Sequence, residues 1–188
     1  GYNLWDTGEM PETLTKIIIN GTPDEIPESF FAGCSQVEEI ELPDSVRKIG
    51  NYSFSYCRNL KKFKVPSSCT YIGIGAFSNV VLKELNIPEG VKKIGQNAFE
   101  NSEIDTLEIS GTDVEIDSLG SIPTKKLVLP YIGTSKNKTC TFEELISPSY
   151  KLSDSLSLET VVLLKSCTNM AENTFAGVKG IDIYCYAD

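Results

Sequence analysis

Residues 34–54 read CSQVEEIELPDSVRKIGNYSF, and residues 57–77 repeat the same pattern as CRNLKKFKVPSSCTYIGIGAF. The closing Phe and the central Pro both recur at a nearly constant interval, at Phe31, Phe54, Phe77 and Phe99 and at Pro43, Pro66 and Pro88. Because two unrelated residue types keep one period, the chain contains a structural repeat. A unit this short cannot bury an apolar face alone, so the repeats must stack, which predicts one elongated solenoid.

Each repeat carries two apolar residues placed two apart. Residues two apart on a strand point to the same face, so each pair predicts a short strand of about three to five residues with an inward side. The eight pairs are Ile17/Ile19, Ile40/Leu42, Phe63/Val65, Leu85/Ile87, Leu107/Ile109, Leu127/Leu129, Val161/Leu163 and Ile181/Ile183. The Pro that follows several of them ends the strand because it cannot donate to a ladder.

After the Pro, apolar residues come at spacings of three to five, as in Val46, Ile49 and Phe54. This spacing predicts a short helix or 3₁₀ turn on the outer side of each coil. The repeated Phe, together with Phe175, are predicted to form a column of five rings inside the stack.

Two regions depart from the repeat. The coil between Ile109 and Leu129, which we call the shrunken coil, is shorter than the regular repeats and lacks the Ala-Phe signature, and the rhythm is then lost until Leu158. We therefore predict an N-terminal cap over residues 1–13 and a solenoid over residues 14–188, interrupted by an irregular insertion at residues 131–157.

The segments Cys34–Phe54 and Cys57–Phe77 closely resemble the leucine-rich repeats of the bacterial surface antigen A type, the BspA-like family, in which Cys replaces the usual ladder Asn. The resemblance covers roughly residues 14–183. It implies an α/β fold, a right-handed solenoid with short parallel strands on the concave face and short helices or 3₁₀ turns on the convex face. It also implies a secreted or cell-surface bacterial protein that acts in adhesion, without a catalytic motif.

Composition argues against several other classes of function. The 26 acidic and 17 basic residues give a net charge of -9, a field that repels nucleic acids and anionic lipids, and no apolar run is long enough for membrane insertion. The chain has no His, the commonest general base and zinc ligand, and no Cys-x-x-Cys pair. The acidic run Asp113–Asp117 lacks the Gly and Glu of a calcium loop. We therefore expect no enzyme activity, no cofactor and no metal.

The six cysteines divide into two groups. Cys34 and Cys57 share one repeat position, and Cys69 and Cys167 replace a Val of the repeat, so these four are expected to be small buried apolar residues. Cys140 and Cys185 lie outside the repeat positions. Their disulfide state stays open at this stage.

The outward residues of the strands form the first candidate site for a partner. These residues are Glu39, Glu41, Lys62, Lys64, Glu84 and Asn86. Equivalent residues on stacked strands lie ~4.8 Å apart, so Glu39/Lys62 and Glu41/Lys64 are predicted to pair side by side. The face is then either a ladder that neutralises itself or a charged surface that recognises a partner.

The insertion is the second candidate site, through Tyr131, Phe142 and Tyr150. Long irregular loops on rigid scaffolds often carry recognition, but these aromatic residues could instead cover the weakened coil before the insertion. Either surface would serve recognition of a protein or a glycan at the cell surface. The alternatives are a structural spacer that presents another domain and, more remotely, a hydrolase built on a carboxylate pair.

Overall fold

The computed structural model describes residues 11–146, 158–164 and 180–186, together with residues 167, 170, 172, 174, 175 and 178. Most of the predicted cap, residues 1–10, lies outside the described residues. The described chain forms a parallel β-solenoid of about seven turns. Its strands are β1 (Lys16–Ile18), β2 (Glu25–Ile26), β3 (Glu39–Glu41), β4 (Lys48–Ile49), β5 (Lys62–Phe63), β6 (Tyr71–Ile72), β7 (Val81–Ile87), β8 (Lys93–Ile94), β9 (Glu103–Ile109), β10 (Glu115–Ile116), β11 (Lys126–Leu129), β12 (Gly133–Ser135), β13 (Lys138–Thr139), β14 (Thr160–Leu163) and β15 (Asp182–Cys185).

The predicted strands form one side of the solenoid, which we call the first-strand face. They make two parallel sheets, in the orders β1-β3-β5 and β7-β9-β11-β14-β15. The register confirms the predicted stacking of apolar pairs, since Ile17 aligns with Ile40 and Ile40 with Phe63. β7 and β9 are longer than expected, because Leu82 and Ile104 are also buried and extend the inward row.

A third parallel sheet, which runs in the order β2-β4-β6-β8-β10, forms another side of the solenoid, which we call the second-strand face. The prediction of outer helices or 3₁₀ turns, and with it the α/β class, is therefore wrong: these outer positions hold very short strands. The glycines that follow β4, β6 and β8 explain why these positions hold strands rather than helices. These glycines are Gly50, Gly73 and Gly95. A Cβ on any of them would lie 2.6–2.7 Å from backbone of the preceding coil. A helix with its side chains is about 10 Å across, and coils in such close contact leave no room for one.

The third side of each coil, the turn face, follows the second strand and carries its own line of hydrogen bonds. The N–H of Phe54 donates to the carbonyl of Ala76 at 2.9 Å, and the N–H of Phe77 donates to Ala98 at 2.8 Å. Inside this line the rings of Phe31, Phe54, Phe77 and Phe99 are stacked, with successive centroids 5.2, 5.3 and 5.8 Å apart. Their interplanar angles are 17°, 6° and 9°.

The predicted fifth ring, Phe175, does not extend this column. Its centroid lies 5.5 Å from that of Phe142, and Leu119 accepts the hydrogen bond from the N–H of Phe99 at 2.9 Å. Leu119 thus aligns with Ala98, the residue before Phe99, and the shrunken coil has Gly120 rather than a Phe at the next position, so the column ends at Phe99.

Each stacked Phe is flanked by two residues with positive φ, one two positions before it and one two positions after it. The pairs are Ser29 and Gly33, Tyr52 and Tyr56, Gly75 and Asn79, and Asn97 and Asn101, with φ between 52° and 78°. Gly adopts this region freely and Asn more readily than other residues. A bulky side chain there is an outlier that costs about 1–3 kcal/mol. The coil of Phe54 has Tyr at both positions.

The predicted insertion begins as an ordered part of the solenoid. Strands β12 and β13 form an antiparallel hairpin, and the helix α1 (Phe142–Ile146) follows it. The hydroxyl of Thr141 accepts from the N–H of Glu144, whose carboxylate accepts from the N–H of Thr141, which is a capping box. The carbonyl of Leu145 accepts from the N–H of Leu119 at 2.9 Å, so this segment continues the line of hydrogen bonds along the turn face.

Candidate functional site

The first-strand face contains a groove of about 460 Å³ where the first of its two sheets ends. Strands β3 and β5 line it, and Glu84 of β7 stands at its far edge. β5 and β7 are not paired, so the row of hydrogen-bonded strands is interrupted here. The sequence does not indicate this break, because Phe63 has the same place in its repeat as Ile40 and Leu85.

Phe63 contributes an apolar, half-buried surface to the groove. Its ring meets those of Phe54 and Phe77 edge-on, at centroid distances of 4.7 and 5.3 Å. The interrupted sheet thus leaves an aromatic residue of the core in contact with the groove, between the charged side chains of the strands.

Most charges beside the groove form ion pairs between coils. Lys62 lies 3.5 Å from Glu39, which confirms that predicted pair, and Lys61 lies 2.6 Å from Glu38 beside it. Lys16 also binds Glu39, at 3.3 Å. Its hydrogen bond lowers the pKa of the Glu39 carboxyl, and the pKa of Lys16 is raised by its hydrogen bonds to Glu41 and Glu39.

The predicted pair between Glu41 and Lys64 does not form. Glu41 instead binds the Nζ of Lys16 on the preceding coil, which leaves Lys64 exposed and without an ion pair among the described residues. Glu84, across the groove, is also exposed and unpaired in the described part of the chain. Asp44, which also lines the groove, is likewise exposed and has no ion pair in the described part of the chain. Among the described residues the groove therefore presents the unpaired cation Lys64 and two unpaired carboxylates, Asp44 and Glu84.

Asn86, the remaining predicted residue of this face, lies one step further along β7. It is exposed, and its Oδ1 accepts from the hydroxyl of Ser110 at 3.1 Å. Asn86 does not line the groove. Further from the groove, Asp105 and Lys125 form another ion pair between coils, at 2.8 Å.

Two of the three aromatic residues predicted for the insertion, Tyr131 and Phe142, are buried. Phe142 is fully buried in α1, and Tyr131 is 3% exposed. Burial raises the pKa of Tyr131 to about 12, and its hydroxyl has no hydrogen-bond partner among the described residues. Their interpretation as recognition residues is corrected: Tyr131 and Phe142 belong to the core beside the shrunken coil. Tyr150 lies outside the described residues.

All six cysteines are free thiols. Cys34, Cys57 and Cys69 are buried as predicted, whereas Cys167 is only half-buried. The pKa of Cys57 is raised, through its contact with Cys34 and through burial. The described residues contain no cluster of acidic or Cys side chains suited to a metal ion, and no helix in them has the length and apolar character needed to span a bilayer.

Sequence reasoning missed an exposed pair of tyrosines on the turn face, Tyr52 and Tyr56. The signal was present in the aligned repeats. The same two positions hold Gly75 and Asn79 in the next coil and Asn97 and Asn101 in the one after. Tyr, a bulky residue, is therefore unusual at both positions.

Stacked parallel coils that repeat the pattern of Cys34–Phe54, with an aromatic column inside, define a leucine-rich-repeat solenoid protein. The sequence matches the family described as BspA type leucine rich repeat region in six copies, over residues 10–119. This match covers more than half of the chain, and the chain belongs to that family.

A crystal structure of a leucine-rich repeat protein from Bacteroides ovatus ATCC 8483, at 1.19 Å resolution, is similar to this chain, with a TM-score of 0.51 and 23% sequence identity. The alignment covers 93% of this chain and 61% of the other protein. At this identity the similarity shows the fold alone. No curated relative matches the chain.

Proposed function

We propose that this chain is a non-enzymatic recognition module of a secreted or cell-surface bacterial protein, and that it binds a protein or glycan partner through the first-strand face. The observation that carries the proposal is the groove at the break between β5 and β7. There Lys64, Glu84 and Asp44 are exposed without ion pairs among the described residues, while Lys61 and Lys62 are neutralised by Glu38 and Glu39. Solenoids commonly bind through extended faces of this kind.

The groove favours a partner segment that carries both signs of charge. Such a segment would place an acidic group near Lys64 and a basic group near Glu84, with an apolar group over Phe63. An exposed pair of contacts like these contributes mainly to specificity and to the rate of association, and salt weakens it.

The proposal is tested with the purified chain on immobilised mucin, collagen and laminin and on arrayed glycans, by biolayer interferometry at two salt concentrations. We expect Lys64→Glu to weaken the binding detected at least tenfold. Lys138→Glu is the matched control, because Lys138 is exposed on β13 without an ion pair among the described residues and far along the chain from the groove. Equal binding by wild type and Lys64→Glu would overturn the assignment of the site.

A structural spacer is the second candidate, because the ion pairs along the first-strand face satisfy most of its charges internally. A spacer predicts that wild type binds none of the immobilised proteins and glycans. Location is tested separately, with an antibody against this chain on intact cells of the source organism. Labelling only after the cells are lysed would contradict the surface assignment.

A further inference from the structure

Tyr52 and Tyr56, on the coil between β4 and β5, are 45% and 49% exposed. Both adopt positive φ, 54° and 64°, where a bulky residue is strained. The neighbouring coils place Gly75 and Asn79 at the equivalent positions and keep the same backbone. Folding of the coil therefore does not account for tyrosine at these two positions, and strained residues of this kind are concentrated at functional sites.

A neighbouring residue holds each tyrosine ring in place. The ring of Tyr52 lies over Gly75 of the next coil, where a Cβ would come within 2.4 Å of the ring. The guanidinium carbon of Arg58 lies 5.3 Å from the centroid of Tyr56. Rings that are already fixed lose little conformational freedom on binding. The two exposed rings flank Phe54 on the turn face, and we call them the tyrosine platform.

The surroundings of the platform are polar but almost uncharged. The turn face of this coil and the next two comprises residues 50–59, 73–80 and 95–102. Only Arg58 and Glu100 are charged in these segments, whereas both strand faces carry ladders of ion pairs. The amide side chains of Asn79, Gln96 and Asn101 make no hydrogen bond within the described residues and so remain available to a ligand.

We propose that the tyrosine platform binds a neutral polysaccharide chain. The C–H face of a sugar ring is apolar and packs on an aromatic ring, while its hydroxyls need partners that both donate and accept, as Tyr hydroxyls and amides do. Coils stack at ~4.8 Å, so the amides recur along the solenoid and can follow an extended chain. The near absence of charge favours an uncharged ligand, unlike the groove around Lys64. This site is separate from the one in the proposed function.

The test is affinity electrophoresis of the chain in native gels that contain hydroxyethylcellulose, xyloglucan, glucomannan, mixed-linkage β-glucan or pullulan. We expect at least one of these neutral polysaccharides to retard the wild-type chain. The double variant Tyr52→Asn/Tyr56→Asn should raise the dissociation constant at least tenfold. Because Asn occupies the same positions in neighbouring coils, this variant is expected to fold, which circular dichroism checks.

Two control variants separate this proposal from the other binding surface. Tyr184→Asn removes an exposed tyrosine from β15, and Lys64→Glu alters the groove; both should be retarded like wild type. If none of the five polysaccharides retards the chain, or if the double variant is retarded like wild type, the proposal is overturned. Retardation by anionic alginate alone would overturn it as well.

Discussion

Removal of one ring from the stacked column, by Phe77→Ala, tests whether the column holds the coils together. Phe77 is fully buried. Its ring lies 5.3 Å from Phe54, 5.8 Å from Phe99 and 5.3 Å from Phe63, measured between centroids. Phe→Ala in a core costs about 3–5 kcal/mol, and the cost is larger where the surroundings cannot collapse into the cavity. Because the neighbouring rings belong to coils fixed by backbone hydrogen bonds, we expect a loss in the upper part of that range, about 4–5 kcal/mol.

The measurement is urea unfolding followed by circular dichroism. With a slope of about 2–3 kcal/mol per molar urea, a loss of about 4 kcal/mol lowers the midpoint by roughly 1.3–2 M. Phe77→Leu retains most of the volume and should cost less than half as much. Phe175→Ala removes a half-buried ring outside the column and should also cost less. If Phe77→Ala lowers the free energy of unfolding by less than about 1.5 kcal/mol, the column does not carry the stability expected of it.

Three further predictions rest on the local geometry. Tyr56→Asn should raise the free energy of unfolding by about 0.5–1 kcal/mol, because relief of backbone strain exceeds the lost contact with the guanidinium group; a lower midpoint in urea would contradict this. Thr141→Ala should lower it by about 0.5–2 kcal/mol through loss of the helix cap, and an unchanged midpoint would show that α1 does not depend on the cap. In the native chain at pH 8, Ellman's reagent should label Cys185 rapidly but Cys34 and Cys57 only after denaturation, since they are buried and the pKa of Cys57 is raised; fast labelling of all six thiols would refute the packing described.

The spacing of apolar residues predicted the first-strand face well, because inward and outward residues alternate along each strand. Ile40 and Leu42, or Leu85 and Ile87, can face the core in only one register. The outer side was predicted incorrectly, although its signal was present. An Ile followed by Gly at positions 50, 73 and 95 marks a strand in direct contact with the previous coil, and the spacing of apolar residues alone does not distinguish that arrangement from a helical turn.

The candidate site was only partly predictable, because it depends on competition between equivalent charges. Alignment of repeats pairs Glu41 with Lys64, but Lys16 lies on the other side of Glu41 and binds it instead. The break between β5 and β7 is a feature of the backbone, and no departure from the repeat pattern marks it in the sequence. The burial of Phe142 was open to prediction, since Thr141-x-x-Glu144 is the sequence of a capping box and marks the start of a helix where a loop was expected.

The enlarged coil between β11 and β14 has a consequence for chain entropy. Leu127 pairs with Val161, whereas Leu85 pairs with Leu107, so the loop closed by the first pair is about half as long again as the loop closed by the second. If closure entropy grows as the logarithm of loop length, the longer coil costs only ~0.4 kcal/mol more to close. That is small beside a single buried side chain, so closure entropy hardly limits the length of this coil away from its buried and hydrogen-bonded residues such as Phe142 and Leu145, whereas ladders hold the regular coils to a nearly constant length. Sequence change in this protein is therefore expected to concentrate in length here and in side-chain identity elsewhere.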